Sequence, residues 1–314
     1  MTAARTLAER VGVGDHVAVA RALTRVERRS EGVDELLADL HRHTRGSQVL
    51  GITGPPGSGK STLVTRLAAE YRRRGRTVGI IAVDPSSVFT GGAILGDRIR
   101  MTDLAGDPGV FIRSIATRGA LGGLSRAALD AITVLDAAGK DVIVLETVGV
   151  GQAEVDVLSA AHTVAVVSVP GMGDDVQAIK AGLLEIADVH VVNKADRDGV
   201  HRTVAELREM VKLAPHAADG WDIPIRQTTA ATGEGVAELA DTFDAHLTWL
   251  DHSGERVGRE RRNAATRIRW MAEELVLRRL RQGAPDFDQA VDAVVARHTD
   301  PATAARELVR ALRP

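Results

Sequence analysis

Gly54-Pro55-Pro56-Gly57-Ser58-Gly59-Lys60-Ser61 fills every place of the phosphate-loop pattern G-x-x-x-x-G-K-[ST]. That pattern needs a strand before it and a helix after it, because the loop leaves a sheet, curls round an anion and enters a helix at its positive end. Both flanks comply. Residues 48–53 form a short apolar run suited to a buried strand, and beyond Ser61 the residues Leu63, Val64, Leu67, Ala68 and Tyr71 recur with helical spacing. The reading is a chain that binds a nucleoside triphosphate. Gly54, Pro55, Pro56, Gly57, Ser58 and Gly59 turn backbone N–H groups toward the phosphates, Lys60 reaches the terminal ones, the Ser61 hydroxyl meets Mg2+, and Thr62 is counted with the cradle.

Around this loop, apolar strand candidates at 77–83, 110–116, 141–145, 163–169, 189–192 and 225–229 alternate with helical patterns. The alternation predicts an α/β fold, a doubly wound and mostly parallel sheet of the P-loop G-domain kind, over residues 48–253. Residues 1–47 read as a helical extension with two amphipathic helices, one carrying Val17, Val19, Ala20, Leu23 and Val26, the other Val33, Leu36, Leu37 and Leu40. Residues 254–314 read as a C-terminal helical arm, punctuated by Gly283-Ala284-Pro285 and Thr299-Asp300-Pro301. A net charge of -2 and an aromatic content of 3% argue against a nucleic-acid partner. With Cys 0, disulfides and thiolate metal sites are excluded. The first 31 residues lack an apolar core for a secretory signal or a membrane span, so the expected location is cytoplasmic, away from membranes.

The strand at 189–192 runs into Asn193-Lys194-Ala195-Asp196, an N-K-x-D pattern. The Asp196 carboxylate accepts hydrogen bonds from the N1–H and 2-amino group of guanine, whereas adenine presents no donor at either place. A polar group left unpaired costs about 1–3 kcal/mol, which selects GTP over ATP. Further on, Thr229, Ala230 and Ala231 resemble the S-A-x loop that lines a guanine base, with Thr229 in the place of Ser. A capped turn after a strand is the plainer alternative for residues 193–196.

Asp84, Asp97 and Glu146 sit where strands meet loops and are candidates, beside Ser61, for holding Mg2+ through oxygen ligands. Asp97 has an alternative in pairing with Arg98 or Arg100 on a solvated loop. In 146–152, Gly149 is placed to offer its N–H to the γ-phosphate. Val150 stands where Ras-like enzymes hold a water-orienting Gln, so slow unaided hydrolysis is expected. The expected catalytic set is Lys60, Glu146, Gly149, Gln152 and Lys180.

Taken together, 54–61, Asp84-Pro85-Ser86-Ser87 with 90–97, 146–152, Pro170-Gly171-Met172-Gly173-Asp174-Asp175-Val176-Gln177 and 193–196 closely resemble the methylmalonyl-CoA-mutase-associated GTPases, over nearly the whole chain. The resemblance implies a homodimeric GTPase, cycling between GTP and GDP with Mg2+, that gates adenosylcobalamin loading into a cobalamin-dependent acyl-CoA mutase and protects that mutase from inactivation. It also implies an extra switch loop at 171–180, with Asp174, Asp175, Gln177 and Lys180, and a C-terminal arm that makes the dimer. The run Arg256, Arg259, Arg261, Arg262, Arg267 and Arg269 is then a solvated or dimer-facing surface. Asp188-Val189-His190 and Asp244-Ala245-His246 lack the later Gly of the cobalamin-ligating D-x-H-x-x-G, so cobalamin is not expected to bind by that route. Three alternatives stand beside this one: an ATP-dependent kinase, a metal-insertion GTPase, and a nucleotide-switched binding module without significant turnover.

Overall fold

Six consecutive buried residues, Gln48–Thr53, form the strand β1 from which the rest of the sheet is built. The structure, a computed structural model, describes residues 6–85, 104, 106–117, 123–147, 160–171, 187–213, 220–281 and 285–311. Six further strands follow: β2 Val78–Pro85, β3 Val110–Thr117, β4 Val142–Glu146, β5 Thr163–Ser168, β6 Val189–Asn193 and β7 Ile225–Thr228. They lie in the order β3-β2-β4-β1-β5-β6-β7. Every pairing is parallel, so the expected doubly wound α/β sheet is present and no antiparallel strand interrupts it among the described residues. Parallel neighbours need helical crossovers, which cover both faces and leave strands apolar on both sides.

The chain divides into two compact units, Met1–Arg261 and Arg262–Pro314. In the first, α4 (Lys60–Arg73) and α7 (Val236–Ser253) cover one face of the sheet. Leu63, Val64, Leu67 and Tyr71 of α4 and Leu239 and Phe243 of α7 meet Leu50, Ile52, Val144 and Val167 of the strands in one apolar cluster. The helical spacing of Leu63, Val64, Leu67, Ala68 and Tyr71 is thus the core-facing stripe. The opposite face carries α5 (Gly123–Ala137) and α6 (Val200–Leu213), the latter packing Val200, Val204 and Leu207 on Val192.

Before β1 the described residues form three helices rather than the expected two: α1 (Leu7–Gly12), α2 (His16–Arg28) and α3 (Val33–His41). The additional α1 is held by a capping box in which Thr6 and Glu9 satisfy each other's backbone N–H groups. On α2 the buried stripe is Ala18, Val19, Ala22, Leu23 and Val26, while Val17, expected on that face, is 55% exposed. Both α2 and α3 pack on α5. Asp136 of α5 accepts hydrogen bonds from the Arg45, Gly46 and Ser47 N–H groups and so leads the chain into β1.

The amino ends of the central strands close over a buried polar cluster. Asp188, just before β6, accepts from Val164 N–H at 2.8 Å and takes a two-pronged ion pair from Arg259 at 2.7 and 2.8 Å. Arg259 belongs to α8 (Glu255–Arg281). The expectation of a solvated or dimer-facing arginine run therefore fails at this position: Arg259 turns inward to a carboxylate that would otherwise be buried and unpaired. His246 Nδ1 lies 2.8 Å from Thr163 Oγ1, and its ring packs against Trp221 and Trp249. Val49 N–H donates to His162 Nδ1 at 3.0 Å, which keeps that nitrogen an acceptor.

In the second unit, α9 (Pro285–Val295) and α10 (Pro301–Ala311) pack on each other, with Ala304 buried and Asp300 capping α10 through the Ala302 and Thr303 N–H groups. No described helix is long and apolar enough to cross a membrane.

Burial lowers the pKa of His162, His190 and His246 from the usual 6.5 to about 4 each. These rings are neutral in the native state but take up protons below 6.5 once unfolded. Stability is therefore full above 6.5 and falls as pH drops toward 4, by up to about 1.4 kcal/mol per pH unit for each ring. Denaturant unfolding at a series of pH values should show this decline between 6.5 and 4.5. His246→Gln should remove about a third of the slope; an unchanged slope would show that His246 is not held neutral.

Candidate functional site

The carboxyl ends of all seven strands lie along one edge of the sheet, and β1 delivers the phosphate loop to its middle. At this point the connections diverge: β1 leads toward β2 on one side, whereas β5 leads toward β6 on the other, which leaves a crevice between them. Gly54 begins the turn at φ +140°, and a Cβ there would overlap the Val167 carbonyl of β5. Only glycine fits so close to a neighbouring backbone. Gly59 closes the loop as the N-cap of α4 at φ +87°, and a Cβ there would stand 2.5 Å from Asn193 Nδ2. Having no side chain, it leaves the first N–H groups of α4 uncapped at the helix's positive end, where an anion is stabilised.

Lys60 lies across the loop, its Nζ donating to the Gly54 and Pro55 carbonyls at 2.7 and 3.0 Å. Ser58 Oγ is buried with no hydrogen-bond partner among the described residues, a donor inside the cradle. Ser61 Oγ donates to Glu146 Oε1 at 2.6 Å, joining the first turn of α4 to the end of β4. With its proton engaged there, the Ser61 oxygen keeps its lone pairs for a cation. Thr147, next along, donates through Oγ1 to Thr53 Oγ1 at 2.9 Å. Ala82 of β2 pairs in register with Glu146, so Asp84 lies two residues further along the same edge. Among the described residues no group of three His, Cys, Asp or Glu side chains could hold a metal.

Asn193 joins the two halves of the site. Its Nδ2 donates to the Ser58 carbonyl at 2.8 Å, and its Oδ1 accepts from Thr228 Oγ1 and from the Ala230 N–H, both at 3.1 Å. The plainer reading of residues 193–196, a capped turn, does not account for an amide spent on the phosphate loop and the 228–230 loop at once. Lys194, at φ 57°, donates through Nζ to the Gly57 carbonyl at 2.7 Å and walls the loop from above. Asp196 is exposed, with its carboxylate unpaired among the described residues. Thr229 and Ala230 are buried and Ala231 is exposed. Arg66, not anticipated from the sequence, reaches from α4 to the Ala230 and Ala231 carbonyls.

Hydrogen bonds thus draw Gly54, Pro55, Gly57, Ser58, Lys60, Ser61, Glu146, Asn193, Lys194 and Ala230 together at the carboxyl edge of the sheet, with Asp196, Thr229 and Ala231 following in the same loops. Asp97, Gly149, Gln152 and Lys180, and the switch loop beyond Gly171, lie outside the described residues, and Asp84 is described in its backbone only.

The chain matches the family model described as methylmalonyl Co-A mutase-associated GTPase MeaB over residues 19–285. A Pyrococcus horikoshii protein described as a GTPase is 47% identical over 301 residues, covering 95% of each chain. The GTPase ArgK of Escherichia coli is 37% identical over 318 residues, covering 96% of each. The mouse methylmalonic aciduria type A homolog, a mitochondrial protein, is 37% identical over 209 residues, 66% of this chain and 50% of that protein. Among solved structures, one described as LAO/AO transport system kinase superposes with a TM-score of 0.71 at 28% identity, covering 98% of this chain and 97% of that one.

Asn193→Ala should strand the Ser58 carbonyl, the Thr228 hydroxyl and the Ala230 N–H. The expected cost is about 2–4 kcal/mol of stability, at about 1 kcal/mol or more per buried orphan, together with a marked loss of guanine-nucleotide affinity. Denaturation midpoints and titration with a fluorescent GDP analogue would measure both. A stability loss with unchanged affinity would show that the amide braces the fold without organising the site.

Proposed function

The chain belongs to the methylmalonyl-CoA mutase-associated GTPase family, and on that premise we propose that it is the GTP-hydrolysing chaperone of a cobalamin-dependent acyl-CoA mutase. In this reading it gates adenosylcobalamin loading and protects the mutase from inactivation. The observation that carries the nucleotide half is the Asn193 amide, which fastens the phosphate loop and the base loop into one pocket. The family description and the name of the mouse relative support the client half. The kinase alternative is not favoured: the family model and the Pyrococcus and Escherichia coli relatives carry GTPase names, and N-K-x-D suits a guanine.

In the proposed mechanism, the loop N–H groups and the first turn of α4 hold the β- and γ-phosphates, and Lys60 exchanges its two loop carbonyls for phosphate oxygens as GTP enters. Ser61 and Glu146, with Asp84 and Asp97, form the oxygen donor set proposed for Mg2+, which suits a hard cation. When bound, Mg2+ supplies neutralising charge on the phosphates. Glu146 accepts the hydrogen bond that the Ser61 hydroxyl donates and so fixes the orientation of the ligating oxygen. Gly149, Gln152 and Lys180 are proposed to face the γ-phosphate and the attacking water. Asp196 reads N1–H and the 2-amino group of the base, with Thr229, Ala230 and Ala231 lining its far edge.

Homodimerisation through residues 254–314 completes the proposal. Ile268, Met271 and Leu275 on α8 and Phe287, Val291 and Val295 on α9 are exposed at helical spacing, which favours a protein partner. A cytoplasmic setting without nucleic acid or membrane as partner is part of the same reading, in keeping with the absence of cysteine.

Asp196→Asn should shift preference from GTP toward XTP, since the new amide donates to the 2-oxo group that replaces the guanine amine. Competition binding with GTP, XTP and ATP tests this; a variant that keeps the wild-type margin for GTP removes Asp196 as the base reader. A second test addresses the client. Because Val150 stands where a water-orienting amide would be, purified protein should turn over GTP slowly, and the client mutase should accelerate it by roughly 30- to 1000-fold, equivalent to about 2–4 kcal/mol of barrier. Phosphate release at saturating GTP, with and without mutase, distinguishes this from a binding module without turnover. Fast basal turnover, or indifference to every cobalamin mutase, would count against the chaperone reading.

A further inference from the structure

Arg66 lies on α4, two turns from the phosphate loop, and its guanidinium is spent on two carbonyls of the loop after β7. Nε donates to the Ala230 oxygen at 3.3 Å and Nη2 to the Ala231 oxygen at 2.9 Å. No carboxylate pairs with it among the described residues, so these bonds are not the by-product of a surface ion pair. A planar fork of this kind fixes two acceptors together, which a single point charge does less well.

The consequence follows from peptide geometry. No peptide bond among the described residues is cis, so the Ala230 carbonyl and the Ala231 N–H of the same unit point in opposite directions. Drawing the Ala230 oxygen toward α4 turns the Ala231 N–H away from it. The neighbouring donors are committed: Ala230 N–H goes to Asn193 Oδ1 at 3.1 Å, and the Thr232 and Gly233 N–H groups go to the Thr229 carbonyl at 3.0 and 2.9 Å. The Ala231 N–H donates to no described residue. It is therefore an oriented donor that no described residue occupies, in the loop that Asn193 joins to the phosphate loop.

We propose that Arg66 is a positioning residue for base recognition, which aims the Ala231 N–H at the 6-oxo group of guanine. Adenine carries an amino group there, a donor facing a donor, so the loop discriminates at the 6-position while Asp196 discriminates at positions 1 and 2. Since Arg66 shares α4 with Lys60 and Ser61, it also ties the spacing of the base loop to that of the phosphate cradle. The inference rests on the guanine-site reading given above.

The test compares GDP with 6-thio-GDP, which keeps N1–H and the 2-amino group but replaces the 6-oxo oxygen by a poor acceptor. Wild-type protein should prefer GDP by roughly tenfold, the factor that one hydrogen bond of about 1.4 kcal/mol supplies. Arg66→Ala should bind GDP about tenfold more weakly and hold the two nucleotides nearly alike, raising KM for GTP more than it lowers kcat. Arg66→Lys, with one ammonium for two carbonyls, should recover part of the preference and serves as the comparison should the alanine variant unfold. Asp196→Asn should weaken both nucleotides and leave their ratio in place. Equal weakening of both by Arg66→Ala and Arg66→Lys, or no change, would overturn the inference alone. Wild-type protein that binds ADP as well as GDP would overturn the guanine-site reading itself, and this inference with it.

Discussion

A strand buried on both faces and bonded on both edges cannot end inside the protein, because the chain leaving it carries N–H and C=O groups that need partners or water. Gln48–Thr53 is such a strand, enclosed by β4 and β5 with all six residues buried. In an all-parallel sheet its neighbours emerge at the same edge, so Glu146, Asn193 and Thr228 arrive beside the loop that begins at Gly54 although the sequence separates them widely. The rest of the site follows from that convergence. Small residues at the crossing let β5 come within backbone distance of the loop, and the side chains at the strand ends reach across it.

The strand β6 is fastened at both ends. At its amino end Asp188 grips Arg259 at the root of α8, and at its carboxyl end Asn193 grips the phosphate loop and the base loop. All five residues of the strand, Val189–Asn193, are buried, which makes it a stiff connection within the first unit. The Asp188 pair is costly to bury, and its retention is better explained by geometry than by stability: one carboxylate orders the start of β5 and the arginine together. The polar cluster thus sets the position of the α8 root with little freedom, whereas an apolar contact would tolerate sliding.

Much of this arrangement is legible in the order of residues. The strand candidates lie close to the observed strands because period and apolar runs survive in the sequence whatever the strands pair with, and the phosphate loop and N-K-x-D announce themselves by spacing. What stays hidden has physical reasons. The helix α1 is six residues long, too short for a periodic stripe, though Thr6 and Glu9 at capping-box spacing are a usable signal. Val17 resembles a core residue because it adjoins the apolar stripe of α2, whose true members begin at Ala18. Arg259 resembles its neighbours in a basic run, since nothing local distinguishes an arginine with a buried carboxylate partner 71 residues away.

The sequence by itself determined the chemistry of the ends: a loop of glycines with a lysine and a serine, an N-K-x-D pattern with its carboxylate, and apolar runs at the lengths of strands and helices. Those are local properties, written in residue type and spacing. Tertiary structure alone decided which carboxylate accepts the Ser61 hydrogen bond, which amide spans the two loops, and which arginine holds the Ala230 carbonyl, with separations of 85, 135 and 164 residues. A side chain's hydrogen bond to a distant partner leaves no period in the sequence, because its partner is chosen by the order of strands in the sheet and not by the order of residues in the chain.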